Sequence, residues 1–287
     1  MKVGLSTYSL ARAIQSGEMD VLQAMDWIKE NGGEHVEIVP FGFDLVENPQ
    51  LINQIRAKAD AIGLEISNYA IGANFITESD EDYRKEIDRV KQHVDIAHQL
   101  GVSYMRHDVA SRPPFDIHIQ MFEEDLPKLV SACQAIADYA AQYGITTNVE
   151  NHGYFIQASD RVQRLVDCVN RFNYKTVLDV GNFLCVDEEP VVAVKKNLPY
   201  ASVVHFKDFY YRPESKQLGE GWMRTASGNY LRGAIVGHGD IDIPAILSII
   251  KDSGFDGYIS VEFEGMEDCK LGSRLGMAYV RKLWGEQ

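Results

Sequence analysis

Four short stretches of the chain end an apolar run on a residue able to ligate a metal: NVENHG with Glu150, LDVGN with Asp179, VVHFKD with His205 and SVEFEG with Glu262. Taken singly, an acid at a strand tip is more often a turn former or helix cap, and a lone His more often a hydrogen-bonded structural group. Taken together they would gather three carboxylates and an imidazole within several ångströms, where repulsion between like charges in a partly buried site is costly. A divalent cation offsets that repulsion. Oxygen-rich ligation with one His suits Mn²⁺, Mg²⁺, Co²⁺ or Zn²⁺ without selecting among them, and open coordination positions could hold two substrate oxygens.

Such convergence needs elements that bring distant strand ends to one place. A junction recurs along the chain, in which a helical pattern closes on Gly and an apolar, β-branched run follows: GGEHVEIV, IGLEISNY, LGVSYMRH, YGITTNVE and SGFDGYISVE. Gly tolerates the left-handed conformation that stops a helix, so each junction reads as a helix feeding a strand. Between them SDEDYRKEIDRVKQHVDIAHQLG has Ser79 as N-cap and apolar Ile87, Val90, Val94 and Ala97 at helical spacing, and NPQLINQIRAKADAIG opens on Asn48 and Pro49. Eight strands are expected, near residues 3–8, 36–39, 66–70, 104–108, 146–150, 176–179, 202–207 and 258–263. Eight strand-helix units with no break in composition predict one (β/α)₈ TIM barrel, a single domain over 1–287, rather than an open doubly wound sheet. GxGxxG and GxxxxGK[ST] are both missing, which removes the main sequence sign of a nucleotide site.

In a barrel the C-terminal strand ends share one mouth. Alternation in YISVEFE puts Ile259, Val261 and Phe263 on an outer apolar face and Glu262 toward the axis, and TTNVE sets Glu150 inward by the same rule. Two connections are longer than the repeat needs, HDVASRPPFDIHIQ and the segment 209–238, and both read as lids or substrate walls. Trp222 and Arg224 are candidates to close over substrate, while His238 reads as a loop residue.

Composition narrows the class. A formal net charge of -14, spread along the chain with no basic run, disfavours nucleic acid. No stretch approaches the roughly 20 apolar residues of a membrane span, and the start carries no leader pattern, so a cytoplasmic protein is expected. Cys133, Cys168, Cys185 and Cys269 form no CxxC pair and are expected as reduced thiols.

In their order and intervals, VENHG, LDVGN, VVHFKD, GHGDIDIPAIL and VEFEG resemble the sugar isomerase and epimerase superfamily with a xylose-isomerase-like barrel. That group includes ketose 3-epimerases, inosose dehydratases and endonuclease-IV-like proteins, and the likeness covers essentially the whole chain. The resemblance implies one divalent metal on Glu150, Asp179, His205 and Glu262, with Glu150 and Glu262 also serving as the catalytic acid/base pair. It implies a metal that holds the carbonyl and neighbouring hydroxyl of a keto sugar and eases formation of an enediolate, while one Glu removes a carbon-bound proton and the other returns one. The expected protein is a metal-dependent isomerase or epimerase of a sugar or sugar derivative. An inosose-type dehydratase, a lyase, is the alternative on the same site; an abasic-site endonuclease and a non-catalytic sugar-binding protein follow. Related barrels often pair, which leaves a homo-oligomer open.

Departures from the epimerase pattern bear on the substrate. Asn182 stands where those enzymes often carry a substrate-contacting His, Ile156 where they carry Glu, and Tyr211, followed by Arg212, where they carry Arg. The expected substrate is therefore phosphorylated, cyclic or otherwise modified rather than a free ketose. The residues expected to bind it are Glu37, His107, His152, Asn182, Lys207 and Arg212. Glu37 has a buried polar network as its other reading, His152 a role supporting Glu150, and Lys207 pairing with a barrel carboxylate. Among Arg106, His107 and Asp108, alternation admits only some to the interior, and His107 is the residue expected there.

Overall fold

The computed structural model describes residues 1–285; the last two positions of the expected 1–287 domain lie outside them. Eight strands close into a barrel: β1 (Lys2–Ser6), β2 (His35–Ile38), β3 (Glu65–Ile71), β4 (Tyr104–His107), β5 (Thr146–Glu150), β6 (Tyr174–Asp179), β7 (Ala201–Phe206) and, after the three strands of a small outer sheet, β11 (Tyr258–Val261). They pair in parallel in the order β1-β11-β7-β6-β5-β4-β3-β2, and pairing of Leu5 with Val36 closes the ring. This is the (β/α)₈ TIM barrel that the strand-helix repeat predicts. Buried apolar Val204, Phe206, Ile259 and Val261 alternate with His205, Ser260 and Glu262, so the core between strands and helices and the polar interior are built by the same period of two.

The helices are α1 (Ala11–Gln15), α2 (Val21–Glu30), α3 (Pro49–Ile62), α4 (Asp80–Leu100), α5 (Ile119–Ala141), α6 (Ser159–Val169), α7 (Pro190–Asn197), α8 (Ile243–Asp252) and α9 (Cys269–Trp284). Helix α4 shows how local sequence sets the bounds. Ser79 accepts from the Asp82 amide at 3.1 Å, a cap whose loss to Ala costs about 1 kcal/mol. At the other end Gly101 adopts φ 78, which stops the helix and turns the chain into β4. Val90, Val94 and Ala97 form the buried stripe, whereas Ile87 is only half-buried.

The segment 209–238, expected as a long loop, contains an antiparallel sheet of β8 (Asp208–Arg212), β9 (Met223–Arg224) and β10 (Tyr230–Ala234), joined by irregular stretches. FYYR and YLRGA carry the aromatic and branched residues that favour strands. Asp208 anchors the base of this sheet: its carboxylate accepts from the amides of Phe209, Gly237, Gly239 and Ile241 at 2.8 to 3.3 Å. Arg232 lies over the Trp222 ring and Arg224 over Tyr230, while His238 is exposed. The four cysteines are free thiols. No helix among the described residues is long and apolar enough to cross a membrane.

Candidate metal centre

Barrel closure brings Glu150 at the end of β5, Asp179 at the end of β6, His205 near the end of β7 and Glu262 just past β11 to one point. One ligand atom from each lies within 4.8 Å of the others, and all four residues are buried. The register fixes this meeting: Asp179 is opposite His205 across β6 and β7, His205 is opposite Ser260 across β7 and β11, and the Glu262 amide bonds the Phe206 carbonyl.

Two of the four donors are held by partners that leave one ligand atom without a hydrogen bond. Asp179 Oδ1 accepts from the amides of Gly181 and Asn182 at 2.7 and 2.8 Å, and Oδ2 is buried without a hydrogen bond, with only the Lys207 ammonium 3.4 Å away. His205 Nε2 meets Glu37 Oε2 at 2.9 Å, and Nδ1 is buried without a hydrogen bond, 3.6 Å from Glu150 Oε1 and 3.9 Å from Glu262 Oε1. An imidazole oriented by a carboxylate, with its second nitrogen facing acids, is the usual arrangement around a ligated divalent ion. The donor set therefore fits such an ion, and the four residues can hold one.

Electrostatics agree. Glu37, Asp108, Glu150, Asp179, Glu262 and Glu264 converge here against two permanent cations, Arg106 and Lys207, leaving an excess of negative charge in a confined space. Burial would raise Glu150, but the Arg106 guanidinium and the His205 imidazole hold it well below the ordinary carboxylate range. Burial pushes Glu262 up to about 7, against the pull of Lys207 and His205. The two glutamates thus differ in how readily they hold a proton. A cavity of about 220 Å³ opens over the cluster, lined among others by Tyr8, Phe41, Arg106, His152 and Lys207.

The expected substrate-binding residues fare differently. Lys207 lines the cavity and bonds Glu262 Oε2 at 2.6 Å, with Glu264 Oε2 at 3.3 Å. His152 lines it with a half-exposed side chain whose Nδ1 lies 3.3 Å from Asp108 Oδ2. Glu37 reaches the cavity wall, but its Oε2 is engaged by His205 and by Asn68 Nδ2 at 2.7 Å, the buried network that was its other reading. Asn182 stands behind the wall, its amide donating to Glu150 Oε1 at 3.2 Å and its Oδ1 accepting from Lys207 at 3.2 Å.

Two placements differ from expectation. His107 faces away from the mouth, packed edge-on against Phe75 at 5.9 Å with Nδ1 on the Asp108 carbonyl, and Arg106 takes the inward position, paired with Glu150 and Asp108. Alternation from buried, apolar Met105 requires this, because residues two apart share a face. Arg212 lies on the outer sheet, paired with Asp240 at 2.6 Å, because β8 leaves the barrel after Lys207. Arg106 and Asp108, weighed beside His107, line the cavity, as do Tyr8 and Glu264, which are not among the expected binding residues. Glu264 shares the parity of Glu262, a signal present in the sequence; Tyr8, at the tip of the expected first strand, sits on a 3-10 turn after β1.

A family model described as xylose isomerase-like TIM barrel matches residues 25–283. An inosose dehydratase of Clostridium perfringens (strain 13 / Type A) is 22% identical over 231 residues, 75% of this chain and 75% of that one. Among solved structures, the probable 3-DHS dehydratase AsbF of Bacillus anthracis superposes with TM-score 0.75 at 18% identity, covering 98% of both chains. D-psicose 3-epimerase of Clostridium cellulolyticum H10 gives 0.75 at 15% identity over 99% of each chain. IolI protein with a bound zinc atom gives 0.74 at 18% identity over 99% of this chain and 98% of that one. These relatives named for a reaction are enzymes, both lyases and epimerases.

Proposed function

The chain belongs to the xylose isomerase-like TIM barrel family, and from that premise we propose that it is a divalent-metal-dependent enzyme that transfers protons on a sugar or sugar derivative, as an isomerase or epimerase. The observation that carries this reading is the pair of buried, hydrogen-bond-free ligand atoms, Asp179 Oδ2 and His205 Nδ1, facing Glu150 and Glu262. Buried polar atoms without partners are costly, and a bound cation satisfies both at once.

A bound ion supplies Lewis acidity, polarising a substrate carbonyl so that the adjacent carbon acid is easier to ionise. The side chains of this protein do the rest. Glu150, paired with Arg106, and Glu262, bonded to Lys207, both line the cavity and are the two carboxylates placed to accept and return a proton. Asn182 orients Glu150 from behind, and Lys207 keeps Glu262 in place. Tyr8, Phe41 and His152 wall the cavity.

A second reading is favoured by the relatives named inosose dehydratase. The same proton removal followed by loss of a β-hydroxyl would make the protein a lyase. Metal analysis of the purified protein, followed by reaction of a keto-sugar and keto-inositol panel in D₂O with mass detection, separates the readings. Deuterium uptake without mass loss supports epimerisation, and loss of water supports dehydration. Failure to retain any divalent ion would overturn both.

A further inference from the structure

Beside the metal cavity lies a second hollow of about 450 Å³, and Tyr8, Phe41 and Glu264 line both. Its rim is formed by Phe41 on the loop after β2, Met223 on β9 and Met266 on the loop after β11. These side chains are 45%, 40% and 64% exposed, so three of the few large apolar residues left in water meet at one groove from three separate parts of the chain. Exposed apolar side chains scattered singly need no explanation; gathered around one hollow they mark a surface that is covered when the protein works. The floor is apolar as well, with Phe209 and Phe263 buried beneath.

We propose that this groove is a substrate subsite that receives an uncharged apolar substituent carried by the sugar, such as an aryl or alkyl group in glycosidic linkage, while the sugar ring occupies the metal cavity. The proposal rests on the metal-site reading above and names the class of substrate that site would take. Two observations fix the occupant. The groove adjoins the metal cavity: Tyr8, Phe41 and Glu264 line both, and Tyr8 and Phe41 pack edge to face at 5.4 Å where the two meet, so a substituent on a ring held over Glu150 and Glu262 would pass these side chains to enter it. Its charges are already engaged: Arg12 bonds the Glu267 carbonyl and lies 5.9 Å over the Phe263 ring, and Glu264 is paired with Lys207. A phosphate would meet one committed guanidinium beside a carboxylate, whereas a neutral apolar group meets Met223, Met266 and Phe263 at no electrostatic cost. The expectation of a phosphorylated, cyclic or otherwise modified substrate is thereby narrowed to one that carries an apolar substituent.

The test is calorimetric titration of the Mn²⁺-loaded full chain with matched pairs, each a free sugar and its phenyl glycoside. The phenyl member is expected to bind about tenfold more tightly or better, and in Met223→Ser/Met266→Ser the ratio of the two affinities should fall to about one. With methionine methyls labelled, the phenyl glycoside should also shift the Met223 and Met266 signals in the unsubstituted protein, a readout independent of whether the double variant folds. Equal affinities within every pair, no binding by either member, a ratio that survives the double substitution, or unmoved methyl signals would each overturn the subsite. Metal retention and deuterium uptake report separately on the metal-site reading, so a protein that keeps its ion and shows no phenyl preference loses only the subsite.

Discussion

His205 donates through Nε2–H to Glu37 Oε2 at 2.9 Å, and this one contact turns Nδ1 toward Glu150 and Glu262. Glu37 is itself held by Asn68, so a three-residue chain across β3, β2 and β7 orients the only nitrogen ligand of the proposed centre. Glu37→Gln keeps the shape but weakens the grip on the imidazole. Divalent-ion affinity measured by calorimetry should fall roughly 10–100-fold, with the barrel intact by circular dichroism. Unchanged affinity would show that the contact is structural only.

Metal loading should stabilise the fold. At an ion concentration about 100 times its dissociation constant the native state gains about 2.7 kcal/mol, visible as a raised Tm that chelator reverses. Asp179→Asn keeps the amide contacts of Oδ1 possible but removes the anionic ligand. Its Tm should not respond to added ion.

Asp208 holds four backbone amides at the base of the outer sheet. In Asp208→Asn one side of the side chain presents N–H groups to amides that need an acceptor, a mismatch that costs about 1–3 kcal/mol. The expected outcome is a lower Tm and faster proteolytic cleavage within 209–238. Gly239→Ala should do the same, since a Cβ there would lie 2.1 Å from Asp208 Oδ1.

Acid should destabilise the barrel through histidines outside the proposed centre. Burial lowers both His35 and His107 to about 4, from an ordinary value of 6.5. Between those values the unfolded chain binds the extra protons, so stability rises with pH: the contribution is complete above about 6.5 and lost as pH falls toward 4. The loss is on the order of 3 kcal/mol for each imidazole. Urea titrations from pH 7 to 4.5 should show that decline, and His107→Asn should show a shallower one.

Arg106→Gln removes the cation that keeps Glu150 ionised. Once a substrate is found, the acidic limb of its pH-rate profile should move to higher pH, while His107→Asn leaves that limb in place.

Much of this protein is determined by local sequence. The barrel follows from helix stops such as Gly101 feeding strands, and the four donors follow from strand tips whose inward parity is set by neighbours such as Val149, Val204 and Val261. Both signals are carried by residues a few positions apart. The same parity, applied to Met105, would have chosen Arg106 over His107. What only the tertiary structure decided is which donors are already engaged. Glu37 finds His205 across 168 residues, Lys207 meets Asp179, Glu262 and Glu264 from two other strand ends, and Phe41, Met223 and Met266 share a groove that no window of sequence contains. Parity says which way a side chain points, but its partner is set by barrel closure, which places distant strand ends side by side through backbone register and core packing rather than through any property of the two residues that meet.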